Sequence, residues 1–344
     1  MQDRFLDLAY EVSRVTEEKV GVIDHVVRQT GMLAINARLE AARAGAAGQA
    51  FSVVAQEVGT LAQSIREVSA ELRAAISANV ALLETAGETL RRDMRGARFA
   101  DLARNAVEII DRNLYERSCD VRWWATDRAV SDVLCDPSDL ARDHASERLA
   151  TILRSYTVYL DLWVADRNGE VIATGRPDRY PCAAGADVSN TEWFRQAMRA
   201  ESGAHFHVCD VAPNAILNGA PVATYSTAVR RDGATHGEPI GALGIFFDWA
   251  PQAAAIVGGA SLNQDERAGT RVMLLDADLR VIASSDGAGL LTEHYPLQIG
   301  DPHRGYYQRG DRLVAYALTP GYETYAGLGW YGCIDSPLRA GTGG

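Results

Sequence analysis

Two long runs with one hydrophobic rhythm, separated by a few small residues, constrain this chain more than any other feature. The first run extends from Phe5 to Asn36 and the second from Phe51 to Leu83, with Gly45-Ala46-Ala47-Gly48 between them. Mostly apolar residues recur in both at alternating steps of three and four, the heptad pattern of supercoiled helices. The pattern predicts an antiparallel helical hairpin whose apolar stripes are buried against each other and against a second copy, as a dimeric four-helix coiled coil.

After the hairpin the period changes. Helical spacing continues from about Ala97 to Leu134, and a second helix is expected from Leu140 to Arg154. Beyond Ser155 apolar residues alternate, as in strands, and WVADRNGEVIATG indicates a β-hairpin because Asn168-Gly169 suits a tight turn. RVMLLDADLRVIASS repeats that block, so the sequence predicts two sheet modules on a long helix.

Between the two repeats, shorter elements are expected. NTEWFRQAMRA reads as a short helix capped by Asn190, and HFHVCDV as a strand. Residues 220–231 and 240–248 are expected to pair as a further hairpin, and DRLVAYALT and YAGLGWYGCID to close the second sheet.

The predicted fold class is therefore α+β, a long coiled-coil helical hairpin followed by a long helix that carries two antiparallel β-sheet modules. The expected segments are a hairpin at 1–95 with its tip at about 29–64, connecting helices at 96–155, a distal module at 156–262, a proximal module at 263–338 and a flexible tail at 339–344.

Composition excludes several classes of function. The 344 residues carry 34 Lys+Arg against 45 Asp+Glu, so a nucleic-acid partner is disfavoured by repulsion from phosphate. The five cysteines are scattered without a CxxC pair, which is typical of reduced thiols in the cytosol. The sequence has no run of 18 apolar residues and no N-terminal export signal, so we expect a cytoplasmic protein.

One segment resembles a known family. QTGMLAINARLEAARAGAAGQAFSVVAQEVGTLAQS, residues 29–64, is similar without a gap to the signalling hairpin of methyl-accepting chemotaxis proteins. The resemblance implies a tip that binds a chemotaxis histidine kinase and its coupling protein, on receptor dimers that group as trimers. The residues expected to make these tip contacts are Leu33, Asn36, Glu40, Arg43, Val53 and Glu57.

Several residues of the tip depart from the family pattern. Arg28, Ala46 and Gln49 change surface groups and leave the heptad positions intact. The alternative is therefore a dimeric ligand-binding sensor or scaffold whose hairpin only dimerises and does not contact the kinase. The arms are also short for the family, so we expect its adaptation glutamates to be missing.

The second half resembles another family. A long helix followed by WVADRNGEVIATG, DVSNTEWFRQAM and PVATYSTAVRRDGATHGEPIGALGIFFD is similar to a double Cache sensor domain, a PAS-like fold. The resemblance covers about residues 97–335 and implies a small-molecule ligand in the distal module. The ligand-binding residues that it implies are Trp193, Phe194, Arg195, His207, Asp210, Tyr225 and Asp248.

The ligand class can be narrowed from the same resemblance. Its amino-acid-binding members hold the ligand carboxylate with an Arg two positions before the Trp and its ammonium with an Asp on the last strand. Here these positions are Thr191 and Phe246. One hydroxyl cannot replace the five donors of a guanidinium, so an α-amino acid is disfavoured, while Arg195 could still meet an anion.

Structural interpretations compete with these assignments. Trp193 and Phe194 also suit a helix packed on a sheet. His205, His207 and Cys209 alternate on one strand face, as ligands of a soft metal would, but no fourth ligand is visible, so we predict no metal site. The sequence lacks GxSxG, Walker, GxGxxG and HExxH motifs, and we predict no catalytic residue and no cofactor.

Together the residues and the two resemblances predict a soluble, homodimeric chemoreceptor-like signal transducer rather than an enzyme. A small molecule would bind the distal module, and the hairpin would control a chemotaxis histidine kinase through its coupling protein. An enzyme built on the PAS-like fold is the weaker alternative, which a pocket of convergent titratable groups would revive.

Overall fold

The computed structural model describes residues 2–338, with side chains described from Ala9 onward. The chain divides into two compact units between Met94 and Arg95. Phe5, Leu8 and the predicted tail 339–344 lie outside the described side chains.

The helices of the described part are α1 (Gln2–Arg43), α2 (Gln49–Trp124), α3 (Arg128–Cys135), α4 (Asp139–Ser155), α5 (Glu192–Met198), α6 (Trp249–Gly258) and α7 (Gln264–Arg267). The strands are β1 (Tyr159–Asp166), β2 (Val171–Thr174), β3 (His207–Asn214), β4 (Ala220–Arg230), β5 (Pro239–Asp248), β6 (Arg271–Leu275), β7 (Val281–Ser284), β8 (Arg304–Arg309), β9 (Arg312–Leu318) and β10 (Tyr331–Pro337). The predicted α+β class is confirmed.

The N-terminal unit is a helical hairpin that turns on glycine. A single 3₁₀ turn, Gly45–Gly48, joins α1 to α2, and Gly45 has a φ of 58°, which favours glycine. At Gly48 the two helices come so close that a Cβ would lie 2.1 Å from the carbonyl oxygen of Ala41. Both glycines are therefore required by the geometry of the turn.

Small residues form the seam between the two arms. Buried positions recur at seven-residue intervals along both helices, and most of them are Ala, Gly or Ser: Val20, Val27, Ala34, Ala41, Gly48, Ala55, Ala62 and Ser69. Short side chains let two helices approach at the close end of the usual interaxial range, about 8 Å. The salt bridge between Asp24 Oδ2 and Arg73 Nη2, at 2.9 Å, crosses the same seam.

The seam differs from the one that the sequence predicted. The large apolar stripes do not pack against each other within one chain, because the adjacent row of small residues allows a closer contact. Described members of the stripes are exposed instead, with Val26 at 53%, Leu33 at 67%, Val54 at 58% and Val68 at 62%.

We expect Gly48→Ala to destabilise the hairpin, because its methyl group would meet the Ala41 carbonyl. Overpacking of this kind costs about 1–3 kcal/mol. The matched control is Gly21→Ala in α1, where an added Cβ meets nothing within 4 Å and should stabilise the helix by up to about 1 kcal/mol. Thermal unfolding of the full chain, with hydrogen exchange over residues 34–62, measures both. Equal hydrogen-exchange protection of residues 34–62 in the two variants would contradict the close approach of the two helices at Gly48.

In the C-terminal unit, α2 ends earlier than the sequence predicted. The helix expected from Ala97 to Leu134 breaks after Trp124, where the Thr126 hydroxyl donates to the Trp123 carbonyl at 2.7 Å. The chain restarts as α3, and the carboxylate of Asp127 accepts the Ala129 amide at 3.0 Å as an N-cap. Local hydrogen bonding, without Gly or Pro, therefore redirects the chain.

Two five-stranded antiparallel sheets repeat one topology. Their strand orders are β2-β1-β5-β4-β3 and β7-β6-β10-β9-β8. The first turn of each is closed in the same way, because Asp166 Oδ1 accepts the amides of Asn168 and Glu170 while Asp276 Oδ1 accepts those of Asp278 and Arg280. The internal repeat seen in the sequence is thus a repeat of structure.

Two details of the predicted elements were wrong. α5 has Thr191 as its N-cap residue in place of Asn190, and the Thr191 hydroxyl donates to the Val188 carbonyl at 2.6 Å. The edge strand β8 was not predicted, since its burial alternates between half-buried and exposed residues and few of them are large and aliphatic.

The C-terminal stretch of α2 packs into one large core with parts of both sheets. Phe99, Val107, Ile110, Leu114 and Val121 are fully buried there. The other face of the first sheet has a separate core, to which α5 contributes and α2 does not. The distal module is therefore built on a sheet with two buried faces.

Candidate functional site

The α5 face of the first sheet is filled by aromatic rings. The ring centroids of Trp163 and Phe246 are 4.1 Å apart, and those of Trp193 and Phe246 are 6.0 Å apart and nearly perpendicular. All three side chains are at most 5% exposed. A ligand that entered this face would have to displace or rotate these rings.

Trp193 and Phe194 are held as part of this face. The Ser226 hydroxyl donates to the Trp193 carbonyl at 2.8 Å and ties α5 to β4. Gly244 of β5 leaves room for the indole, since a Cβ there would lie 3.0 Å from Trp193 Cζ3. Packing on the sheet accounts for both residues, and their predicted ligand contacts stay a prediction.

Asp210 and Tyr225 lie away from the aromatic face. Tyr225 is fully buried in the core shared with α2, and burial, with Tyr325 beside it, raises its pKa well above the usual value. Asp210 Oδ2 accepts the indole N–H of Trp330 from the second sheet at 3.2 Å. The structure does not bring these two predicted ligand residues together with Trp193.

Arg195 and Asp248 are at separate places on the same module. Arg195 is exposed on α5. Asp248 is half-buried at the end of β5, where burial raises the pKa of its carboxyl and the guanidiniums of Arg179 and Arg176 oppose that rise. The predicted ligand residues described so far therefore lie at different places on the module.

His207 and Cys209 meet a third polar residue that the sequence did not indicate. They point from the edge strand β3 toward Glu192, the first residue of α5, and the ligand-type atoms of the three side chains lie within 4.8 Å of one another. Burial, with Glu192 and Asp210 nearby, raises the pKa of the Cys209 thiol to about 12. His205 is outside this group, because its Nδ1 lies 2.9 Å from the Ser202 hydroxyl.

Asp161 is a buried carboxylate that sequence reasoning missed. It is fully buried on β1 and accepts hydrogen bonds from Trp163 Nε1 at 2.8 Å and from the amides of Leu162 and Gly175 at 2.8 and 3.0 Å. Burial is the largest effect and raises its pKa to about 6. An acidic residue inside the apolar strand YLDLWVAD was the available signal.

Two buried carboxylates connect α2 to the two sheets. Asp120 accepts the hydroxyl of Tyr159 on β1, and Arg117 Nε lies 3.2 Å from its Oδ2. Asp111, about two and a half turns earlier in the helix, accepts the Thr319 hydroxyl and the Gly321 amide beyond β9. Burial raises the pKa of both carboxyls. Each module is thus fixed to the same helix by a polar contact.

A groove lies near the end of α2. Its volume is about 340 Å³, and it is lined by Trp123, Trp124, Thr126, Asp127, Arg148, Thr151, Ile152, Ser155 and Tyr156. The indole of Trp123 is 69% exposed there. The sequence did not indicate this groove, because residues of α2 and α4 that are distant in the chain form it.

At the hairpin tip, the residues that the sequence selected are on the surface. Leu33 is 67% and Val53 63% exposed, and Asn36 and Glu57 are exposed as well. Arg43 Nη1 and Glu40 Oε1 form an ion pair at 2.6 Å across one helical turn. The six predicted contact residues are therefore accessible to a partner.

Comparison with known proteins finds a family model that matches the hairpin. The family model of the methyl-accepting chemotaxis protein (MCP) signalling domain matches residues 5–116. The resemblance of residues 29–64 is thus confirmed, and the match includes the hairpin from residue 5 onward and continues into the buried part of α2.

Relatives of the signalling domain are chemoreceptors. The chain is 38% identical over 100 residues to methyl-accepting chemotaxis protein McpP of Pseudomonas putida, which is 27% of this chain and 18% of McpP. It is 44% identical over 78 residues to methyl-accepting chemotaxis protein I of Escherichia coli, 21% of this chain and 14% of that protein. The chain thus matches less than a fifth of the length of these curated relatives.

Solved structures match the other part of the chain. The sensor domain of the Vibrio cholerae histidine kinase DctB aligns with a TM-score of 0.51 at 14% identity, over 70% of this chain and 96% of that domain. The ligand-binding domain of the Pseudomonas fluorescens chemoreceptor CtaA, in complex with L-serine, aligns with a TM-score of 0.50 at 15% identity, over 70% and 96%. The Cache-like sensor fold beside the signalling domain is confirmed.

A search of the described helices for a membrane span gives none of sufficient length and apolar character.

Asp161 predicts a pH dependence of folding stability. Its carboxyl has a pKa of about 6 in the folded chain and about 3.9 in an unfolded one. Between these values the folded state holds a proton that the unfolded state has released. The stabilisation is therefore complete below about pH 4 and is lost as the pH rises through 6, by on the order of 2–3 kcal/mol.

Asp161→Asn provides the comparison, because it cannot ionise and keeps an acceptor for the Leu162 and Gly175 amides. We expect the free energy of unfolding of the native chain, minus that of the variant, to fall as the pH rises from 4.5 to 7. Urea unfolding at fixed ionic strength measures the free energy of unfolding of the native chain and of the variant at each pH. If the free energies of unfolding of the two proteins change in parallel between pH 4.5 and 7, Asp161 does not titrate in that range.

Proposed function

We propose that this chain is a chemoreceptor-like signal transducer and not an enzyme. Its C-terminal unit binds a small molecule, and its N-terminal hairpin controls a chemotaxis histidine kinase through a coupling protein. The observation that carries the proposal is the presence, in one chain, of an MCP signalling domain at residues 5–116 and a sensor fold shared with chemoreceptors and histidine kinases.

The exposed tip supports the kinase-controlling role. The match at residues 29–64 is ungapped, and the six residues selected from it are all accessible. Leu33 and Val53 expose apolar side chains, and Glu40 and Arg43 form an exposed ion pair on the same hairpin. A mixed apolar and charged patch of this kind suits a protein partner.

The apolar stripes support a homodimer. Stripes on both arms remain exposed in one chain, and a second copy presents the same stripes in the same order. Pairing two hairpins buries them as the core of a four-helix coiled coil and removes a large apolar surface from water. An exposed apolar surface of this length is uncommon in a monomer.

The fold of the C-terminal unit supports ligand sensing, and the residues present limit the ligand. In the chain, Thr191 donates its hydroxyl to Val188 and Phe246 is buried among aromatic rings. Neither offers a counter-charge, so a free α-amino acid is disfavoured here, although CtaA was solved with L-serine. The exposed guanidinium of Arg195 favours a small anion instead.

α2 is the element through which sensing would reach the hairpin. It begins at Gln49 in the N-terminal unit and ends at Trp124 in the C-terminal one. Asp111 and Asp120 fix its last part to the two sheets. A ligand acts through this helix only if it binds two arrangements of the module with different affinity.

Val53→Glu tests kinase control. A buried carboxylate without a partner is costly, so we expect capture of the chemotaxis kinase and coupling protein to fall by about tenfold or more. Leu82→Glu is the matched control, because Leu82 is 67% exposed against 63% for Val53 and lies far from the tip in sequence. Absence of capture by the unsubstituted chain would favour the alternative, a hairpin that only dimerises.

Val68→Glu tests the dimer. Val68 is 62% exposed on a stripe, and placing a charge in a coiled-coil seam opposes association. We expect sedimentation equilibrium to give twice the chain mass of 37.2 kDa for the unsubstituted protein, and weaker association for Val68→Glu. If the unsubstituted chain stays monomeric at micromolar concentration, the proposal of a homodimer is wrong.

Ligand sensing is tested by a thermal-shift screen of small anions, amines, purines and L-serine, followed by hydrogen exchange in the hairpin. A binding ligand raises the unfolding temperature of the C-terminal unit. If hydrogen-exchange protection of the hairpin is identical with and without that ligand, the ligand binds but does not act on the hairpin.

A further inference from the structure

Three side chains of different chemistry converge at the edge of the first sheet. His207 and Cys209 lie two residues apart on β3 and therefore face the same side. Glu192, the first residue of α5, completes the group, and one ligand atom from each lies within 4.8 Å of the other two. An imidazole, a thiol and a carboxylate together are the donor set of zinc sites.

The imidazole of this group has an unused nitrogen. His207 Nε2 is buried and makes no hydrogen bond within the described part of the chain, although Glu192 Oε1 lies 3.3 Å away. Buried polar atoms are nearly always paired, so an orphaned ring nitrogen beside a carboxylate requires an explanation. A bound cation would satisfy the nitrogen and the carboxylate at once.

We propose that Glu192, His207 and Cys209 form a site for one divalent transition-metal ion of the zinc class. The carboxylate, the imidazole Nε2 and the thiolate are its three protein ligands, and a water or an exogenous ligand takes the fourth position. On binding, the Cys209 thiol becomes a thiolate and its proton passes to the solvent.

The geometry needs only a small adjustment. Ligand atoms of a tetrahedral zinc site lie about 3.5 Å apart, given metal–ligand distances of about 2.0–2.3 Å. Here the three atoms are within 4.8 Å of one another, and the Glu192 side chain is 62% exposed and free to rotate inward. Calcium and magnesium are disfavoured, because both select oxygen ligands.

A metal at this place would connect α5 to the edge of the sheet. β3 is the outermost strand of the order β2-β1-β5-β4-β3, and the Ser226 hydroxyl is another tie between α5 and this sheet. The site is independent of kinase control, so it stands or falls separately from the function proposed above.

The test uses the full chain, stripped with a chelator, kept reduced and titrated with Zn²⁺ by calorimetry and with Co²⁺ by absorption. We expect one ion per chain, a thiolate-to-cobalt charge-transfer band, and a higher unfolding temperature with Zn²⁺. Cys209→Ser should abolish the band, and His207→Gln and Glu192→Gln should each weaken Zn²⁺ binding by about tenfold or more.

Two control variants separate this site from adventitious binding. His205→Gln removes the neighbouring imidazole that the structure places outside the group, and Cys182→Ser removes an exposed thiol. Both should keep the band and the affinity for Zn²⁺. Glu192→Gln keeps the proposal testable if Cys209→Ser misfolds, since Glu192 is on the surface. The proposal would be overturned if the control and site variants lost Zn²⁺ affinity equally. It would also be overturned if the unsubstituted chain did not bind one Zn²⁺ ion per chain.

Discussion

Burial of one face of α2 is the constraint on which the C-terminal unit depends. Phe99, Val107 and Leu114 are inaccessible to solvent there, and both sheets contribute to the same core. The contact is so close at β10 that a Cβ on Gly332 would lie 2.2 Å from the Ala103 carbonyl oxygen. Two sheets that share one helix as their core cannot shift independently of it.

Polar contacts make that shared core specific. Asp111 and Asp120 each accept hydrogen bonds from a different module, and a buried carboxylate is costly unless its partners stay in place. The modules are also linked directly, through the indole of Trp249 and the Ile282 carbonyl at 2.6 Å and through Trp330 and Asp210. The first sheet is therefore in contact with both the helix and the second module.

The hairpin and the ligand face show how far sequence reasoning reached. The heptad rhythm predicted two helices and a turn, because periodicity reports which residues share a face. The rhythm did not identify which faces of the two helices pack against each other. The row of small residues through Ala34 and Ala62, rather than the stripes of larger residues, forms the seam within the chain. In the C-terminal unit, the resemblance grouped Tyr225 and Asp210 with Trp193, but Tyr225 is buried in the core on the other side of the sheet and Asp210 accepts a hydrogen bond from Trp330.

The sequence by itself determined the α+β class, the hairpin, the repeat of two sheets and the exposed tip, since each follows from periods and turns read over a few neighbouring residues. Only the tertiary structure decided the break after Trp124, the aromatic filling of the α5 face and the meeting of Glu192 with His207 and Cys209. These depend on residues distant in the chain, and local pattern carries no information on which helix end comes to lie beside which strand.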